Sequence, residues 1–348
     1  AREHAIAMCS DITLFHALMN IAWSMFDTRE DLAAREALAQ ALAIGARRNY
    51  MNCHPWWIPE VMSRLLSRAL ASGIEVEYVC RLIRHRAVAP ESLDIVSWPW
   101  PIRIVTLGEF RVEIDGAPLS FEGKAQAKPL ELLKALLSFG GRGVRAQTLI
   151  DALWPHAEGD AGQRAWDVTL HRLRRLLGHP DALVLSDSKL SLSPTSVWTD
   201  VRALEMFVRE LESGGERTAG QADALAHELL SRYRGEFLAH EGVQPWLIQP
   251  RDRLRRDFQR SLLALGAILQ RETSWNTALE LYRAGIERDP IAEAFYQESM
   301  RCLGQLGLAA EVARTYRTLH DELARTLGMA PSARSQTLLA ELARIRQH

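Results

Sequence analysis

From Arg164 to Gly178 the chain reads Arg-Ala-Trp-Asp-Val-Thr-Leu-His-Arg-Leu-Arg-Arg-Leu-Leu-Gly, and no other stretch constrains the fold as strongly. Trp166, Leu170, Leu173 and Leu177 recur at steps of four, three and four, the spacing that lines one face of an α-helix. An apolar stripe of this kind has to be covered by other parts of the chain. The other side carries Arg164, Val168, His171, Arg172 and Arg175, with Thr169 beside them. Asp160 followed by Gln163 reads as a capping-box-like start, and Gly178 as a stop. Residues 161–178 hold four Arg against one Asp, a local charge of +3. A buried stripe opposite an Arg/His/Thr face suits a helix lying in the major groove of DNA. The same pattern describes an ordinary solvated surface helix, so the neighbouring segments decide.

Upstream, residues 102–107 and 110–114 alternate apolar and polar side chains, as half-buried strands do, and Asp115-Gly116 between the second strand and residues 119–121 is a hairpin turn signal. Lys128-Pro129 is expected to open a helix with the stripe Leu130, Leu133, Leu136 and Leu137, closed by Gly140-Gly141. A second helix is expected from about Arg145 to Leu153, with Leu149, Ile150 and Leu153 on one face. After the Arg-rich helix, residues 183–185 and 190–192 flank Asp187-Ser188-Lys189 as a β-hairpin. Small sheet, three helices and hairpin, in that order, make a winged helix.

With these residues in place, segment 102–200 resembles the winged helix of OmpR/PhoB-type DNA-binding domains, and residues 164–177 are similar to that family's recognition helix. The resemblance implies that Arg164, Thr169, His171, Arg172 and Arg175 meet phosphates or base edges, that Val168 faces thymine methyls, and that Ser188 and Lys189 sit on the wing. By chemistry, Arg172 and His171 suit base edges, whereas Arg164, Arg175 and Lys189 suit phosphates that set register. Asp187 beside Lys189 departs from the more positive wing of that family.

Both flanks of the winged helix read as helical. Before it, Thr28–Asp31 looks like a capping box ahead of Leu32, Ala39 and Leu42; Pro59-Glu60 opens another helix; Val76, Val79, Leu82 and Ile83 mark a third. Trp98-Pro99-Trp100-Pro101 breaks helix and marks a boundary at which the indoles are expected to be buried. Further on, Trp275, Ala278, Leu279 and Tyr282 have tetratricopeptide spacing, Phe295 falls at an aromatic position, and Tyr282-Arg283 recurs as Tyr316-Arg317, an offset of 34 residues. A winged helix followed by such repeats resembles antibiotic-regulatory-protein-type regulators with a bacterial transcriptional activator domain. Tyr233–Leu238, Trp246, Arg251, Leu254, Arg255 and the closing Leu327-Gly328 and Pro331-Ser332 are similar to that domain's signatures. The resemblance implies double-stranded promoter DNA, RNA polymerase and further protomers as partners, with the loop from Trp154 to Asp160 as an activation surface. The expected organisation is a helical repeat segment at 1–98, the winged helix at 99–201 and a tetratricopeptide-like activator domain at 202–348, mainly α with a small β component.

Composition narrows the chemistry. Net charge is −1, and segment 102–200 sets twelve Lys/Arg against a similar number of acids, so positive charge is concentrated on one helix. This is not the balance of a non-specific nucleic-acid coat. Four scattered cysteines (Cys9, Cys53, Cys80, Cys302) suit a reducing cytoplasm, and no run is apolar enough for a membrane span. Cys53-His54 and Cys80 with His85 lack the compact spacing of a zinc site, no P-loop motif occurs, and His227, His240, Glu241 and Asp252 accompany no nucleophile. Neither catalytic residues, cofactor nor metal are expected. The start at Ala1 without Met, inside helical sequence, suggests a piece of a larger multidomain regulator. Two readings stand beside the DNA reader: a protein-interaction scaffold whose winged helix has lost DNA binding, and a sensor of a small ligand.

Overall fold

The computed structural model describes residues 10–27, 31–51, 57–91, 93, 95, 98–120, 124–157 and 160–344. It is mainly helical with two small sheets and divides into two compact units. The first takes residues up to Ile104, Val112–Leu136 and Gly140–Trp198; the second takes Val105–Arg111, Leu137–Phe139 and the chain from Thr199 onward.

The first unit opens with helices α1 (Asp11–Asp27), α2 (Asp31–Arg48), α3 (Pro59–Ala71) and α4 (Val76–Arg86). In α2 the buried row is Ala34, Ala37, Leu38, Ala41 and Leu42, while Leu32, expected on the stripe, is 75% exposed. Small alanines let neighbouring helices approach, and Gly45 takes this furthest. A Cβ there would lie 2.5 Å from the Tyr78 hydroxyl, which donates to the Tyr50 carbonyl at 2.6 Å. Thr28–Glu30 of the expected capping box lies outside the described residues. Trp98 and Trp100 are both buried, as the cost of solvating two indoles requires, and the Trp198 indole donates to the Leu93 carbonyl at 3.1 Å.

The winged helix follows: β1 (Ile102–Val105), β2 (Arg111–Ile114), β3 (Ala117–Pro118), α5 (Lys124–Ser138), β4 (Val144–Arg145), α6 (Ala146–Leu153), α7 (Ala161–Leu177), β5 (Leu183–Ser186), β6 (Lys189–Leu192) and β7 (Val197–Thr199). One sheet has the order β3-β2-β1-β7 and the wing sheet has the order β4-β6-β5. Asp115 and Gly116 both take positive φ, so the turn is the expected tight hairpin, but it returns at Ala117–Pro118 and not at 119–121, Phe121 lying outside the described residues. Helix α5 also starts before the expected Lys128-Pro129 and carries Pro129 inside it, at the loss of one backbone hydrogen bond. Its Leu132, Leu133 and Leu136 form the domain core with Leu149 and Ile150 of α6 and the stripe of α7, all 7% exposed or less.

The second unit is an array of antiparallel helices: α8 (Asp200–Ser213), α9 (Ala219–Arg232), α10 (Pro245–Arg271), α11 (Trp275–Arg288), α12 (Glu293–Gln305), α13 (Ala309–Leu327) and α14 (Ala333–Arg344). The 34-residue offset has a physical basis, since Tyr282 and Tyr316 each occupy the eighth position of a helix, α11 and α13. Tyr282 is buried against Gly266 of α10, where any Cβ would collide with the ring. Tyr233 stacks on Phe258 at 4.1 Å between centroids, and Phe258 meets Phe295 edge-on. The loop Val105–Arg111 belongs to this unit. Asp200, buried at the start of α8, accepts four hydrogen bonds, from the Thr106 N–H and hydroxyl, the Leu107 N–H and the Val201 N–H. Burial pushes its carboxyl above the ordinary carboxylate range, and these donors oppose the rise. Leu107 also bridges Phe237, and the Leu238 N–H donates to the Thr106 carbonyl at 2.7 Å.

Candidate nucleic-acid interface

Helix α7 is held by its apolar side. Trp166, Leu170, Leu173 and Leu177 are each 4% exposed or less. Gly162 brings its first turn onto α6, because a Cβ there would come within 2.9 Å of Ile150 Cγ2. Gly178 ends it in the left-handed conformation, φ +68°. The start differs from expectation. Asp160 is the N-cap residue but its side chain caps nothing, and Gln163 instead donates to Asp167 at 3.1 Å. That bond occupies the one acid on the helix.

Of the eight residues singled out from the sequence, seven are exposed: Arg164, Val168 (50%), His171, Arg172 and Arg175 on α7, and Ser188 and Lys189 on the wing. Thr169 is the correction. It is 5% exposed, and its hydroxyl donates to the Ala165 carbonyl one turn back at 2.7 Å, so it packs with the stripe and offers nothing outward. Arg174, passed over in the sequence, is exposed. With His171, Arg175, Gly178 and Pro180 it lines an open recess of about 610 Å³. Among the described residues Arg164, Arg172, Arg174 and Arg175 have no acidic partner. The face is therefore an uncompensated cationic surface on a rigid helix.

The wing is short. Asp187 and Ser188 form its two-residue turn with φ of +50° and +56°, the geometry a tight hairpin demands, though neither is glycine. The Ser188 carbonyl accepts the Ala146 N–H at 2.8 Å, tying the tip to the start of α6. In the expected activation loop, Trp154 stands under the Lys128 ammonium at 5.3 Å, while residues 158 and 159 lie outside the described residues.

A second row of arginines, Arg251, Arg253, Arg255 and Arg256 on α10, is largely engaged internally. Arg251 donates to the carbonyls of Phe237, Leu238 and Glu241; Arg253 pairs with Glu205 at 2.7 Å; Arg255 forks onto the buried Asp289. Arg256 alone of that set is exposed without a partner among the described residues. Cys53 and His54 lie outside the described residues, burial pushes the Cys80 thiol up, and no group of three or more His, Cys, Asp or Glu within metal-binding reach occurs among the described residues. No described helix is long and apolar enough to cross a membrane.

Residues 199–343 match the family described as the bacterial transcriptional activator domain. No curated protein matches the chain. Among solved structures, the chain is similar to Mycobacterium tuberculosis EmbR in complex with a low-affinity phosphopeptide. The TM-score is 0.50 at 21% identity over 70% of this chain, which spans 65% of that one. The fold is shared at this level.

Proposed function

We propose that this chain is a sequence-specific DNA-binding regulator of transcription, acting as an activator in the cytoplasm. The observation that carries the reading is α7: a helix locked by a buried stripe, presenting four arginines with no acidic partner among the described residues beside a hairpin wing. An exposed guanidinium without a counter-charge is free to fork onto a guanine edge or a phosphate. Arg172 and His171 read base edges, Val168 meets thymine methyls, and Arg164, Arg174, Arg175 and Lys189 hold phosphates. Thr169 has no part in it. The activator-domain match at 199–343 supports a transcriptional output, with the loop from Trp154 to Asp160 or the helical repeats as the surface for RNA polymerase or a second protomer.

The test is selection of duplex DNA from a random pool against the whole chain, followed by affinity at several salt concentrations. Enrichment of a short, repeated motif that Arg172→Ala abolishes is the expected result. Weak binding without enrichment would overturn the reading in favour of the protein-interaction scaffold, to which Asp187 at the wing tip and the balanced charge belong.

A further inference from the structure

The wing sheet places like charges face to face. In its register Arg145 of β4 lies directly opposite Lys189 of β6, and Lys189 lies opposite Ser186 of β5. Side chains alternate across a strand, and the neighbouring Val144 and Leu190 are buried. Arg145, Lys189 and Ser186 therefore form one row across all three strands on the outward face, and all three are exposed. Facing residues in an antiparallel pair have Cβ atoms roughly 5 Å apart, and like charges there destabilise the pair. Neither cation has an acidic partner among the described residues. The nearest acid in sequence, Asp187, leans toward the β5 side, where it accepts the Ser186 hydroxyl at 3.5 Å. The backbone does not supply the missing counter-charge. The Ser188 carbonyl, an acceptor at the tip, is already taken by the Ala146 N–H.

We propose that Arg145 and Lys189 form a single two-cation seat for one backbone phosphate of duplex DNA, with Arg145 as a DNA-binding residue supplied by the strand ahead of α6. This rests on the DNA-reading assignment of α7 and deepens it, because it makes the wing contact a joint product of two strands. A phosphodiester between the two side chains accepts a forked guanidinium bond from one and an ammonium bond from the other, and it converts their repulsion into attraction. The wing remains a useful contact despite Asp187 because a second cation stands beside Lys189. Ser186 completes the row as a neutral neighbour whose hydroxyl is taken up by Asp187.

The experiment uses the whole chain and a duplex of about 30 base pairs of arbitrary sequence, with Arg145→Gln, Lys189→Gln and the double variant. A shared seat predicts that each single variant weakens binding about threefold to tenfold, alike on all sequences. It also predicts that the double variant flattens the slope of log affinity against log salt by about one phosphate's worth, with each single change smaller. In the free protein, the double-mutant cycle of Tm should show repulsive coupling between the two positions. A wild-type chain that binds while both variants leave affinity and slope unmoved would sink the seat and spare the α7 reading. A double variant that flattens the slope by two phosphates, or a cycle without repulsion, would also overturn it. Failure of the wild-type chain to bind duplex DNA at any salt would bring down the α7 reading itself.

Discussion

The arginines of this chain fall into two populations that differ in what surrounds them. In the helical array many guanidiniums are matched to a carboxylate, among them Arg253 to Glu205, Arg255 to Asp289, Arg283 to Glu311, Arg301 to Glu298 and Arg325 to Glu322. On α7, Arg164, Arg172, Arg174 and Arg175 have no such partner among the described residues, although Arg172 and Arg175 stand three apart, where like charges repel on a helix. The same side chain therefore serves cohesion in one region and is kept open in the other. Charge counts cannot separate the two, since the array holds many more arginines than α7 does. The distribution of acids does.

The sharpest way to break this contrast is to remove a partner from the matched population. Asp289 is 3% exposed and takes both arms of Arg255 as well as the Gln259 amide. Asp289→Ala should cost about 3–5 kcal/mol in denaturant unfolding, because a guanidinium is left half-buried without its anion. Leu173→Ala, at a fully buried position on α7, should cost about 2–5 kcal/mol by cavity formation and take DNA binding with it. Arg172→Ala should leave stability within about 0.5 kcal/mol and cost about 1–3 kcal/mol of specific binding in a titration against the selected duplex. If it lowered stability as Asp289→Ala does, the two populations would be one. Arg175→Ala should weaken all sequences alike and reduce the salt slope by about one, which a salt series reads directly.

The smallest effect concerns pH. Burial would raise the Glu293 carboxyl, but hydrogen bonds from Ser335, Ser332 and Gln297 outweigh it and hold the group below the ordinary carboxylate range. A lowered folded-state pKa adds stability above the unfolded value, and that stability fades as pH falls through the lowered one. Thermal melts should therefore show α14, which Glu293 ties through Ser332 and Ser335, loosening on acidification below about pH 4.5. Glu293→Gln should flatten that dependence; an unchanged acid slope would remove Glu293 from the account.

Much of this was legible beforehand because burial follows spacing. The stripe of α7, the Asp115-Gly116 turn, and the alignment of Tyr282 with Tyr316 all rest on a period or on a conformational demand that residue type reveals. The misreadings share a cause, in that polar groups found partners that pattern does not show. Thr169 has a polar side chain, yet its own helix satisfies it, so it can be buried. Asp160 and Gln163 have capping-box spacing, but Gln163 turns to Asp167, whereas Thr218 and Gln221 form the box in full. Arg145 gave no signal at all, because facing Lys189 depends on a register between strands more than forty residues apart.

Asp200 has a consequence for how such a chain could have been assembled. Three of the four hydrogen bonds it accepts come from Thr106 and Leu107, more than ninety residues earlier. Two of those three donors are backbone N–H groups that any residue but proline supplies, so an exchange of the chain at a breakpoint between Arg111 and Trp198 puts at risk the hydroxyl of Thr106 and the path that brings this loop to Asp200.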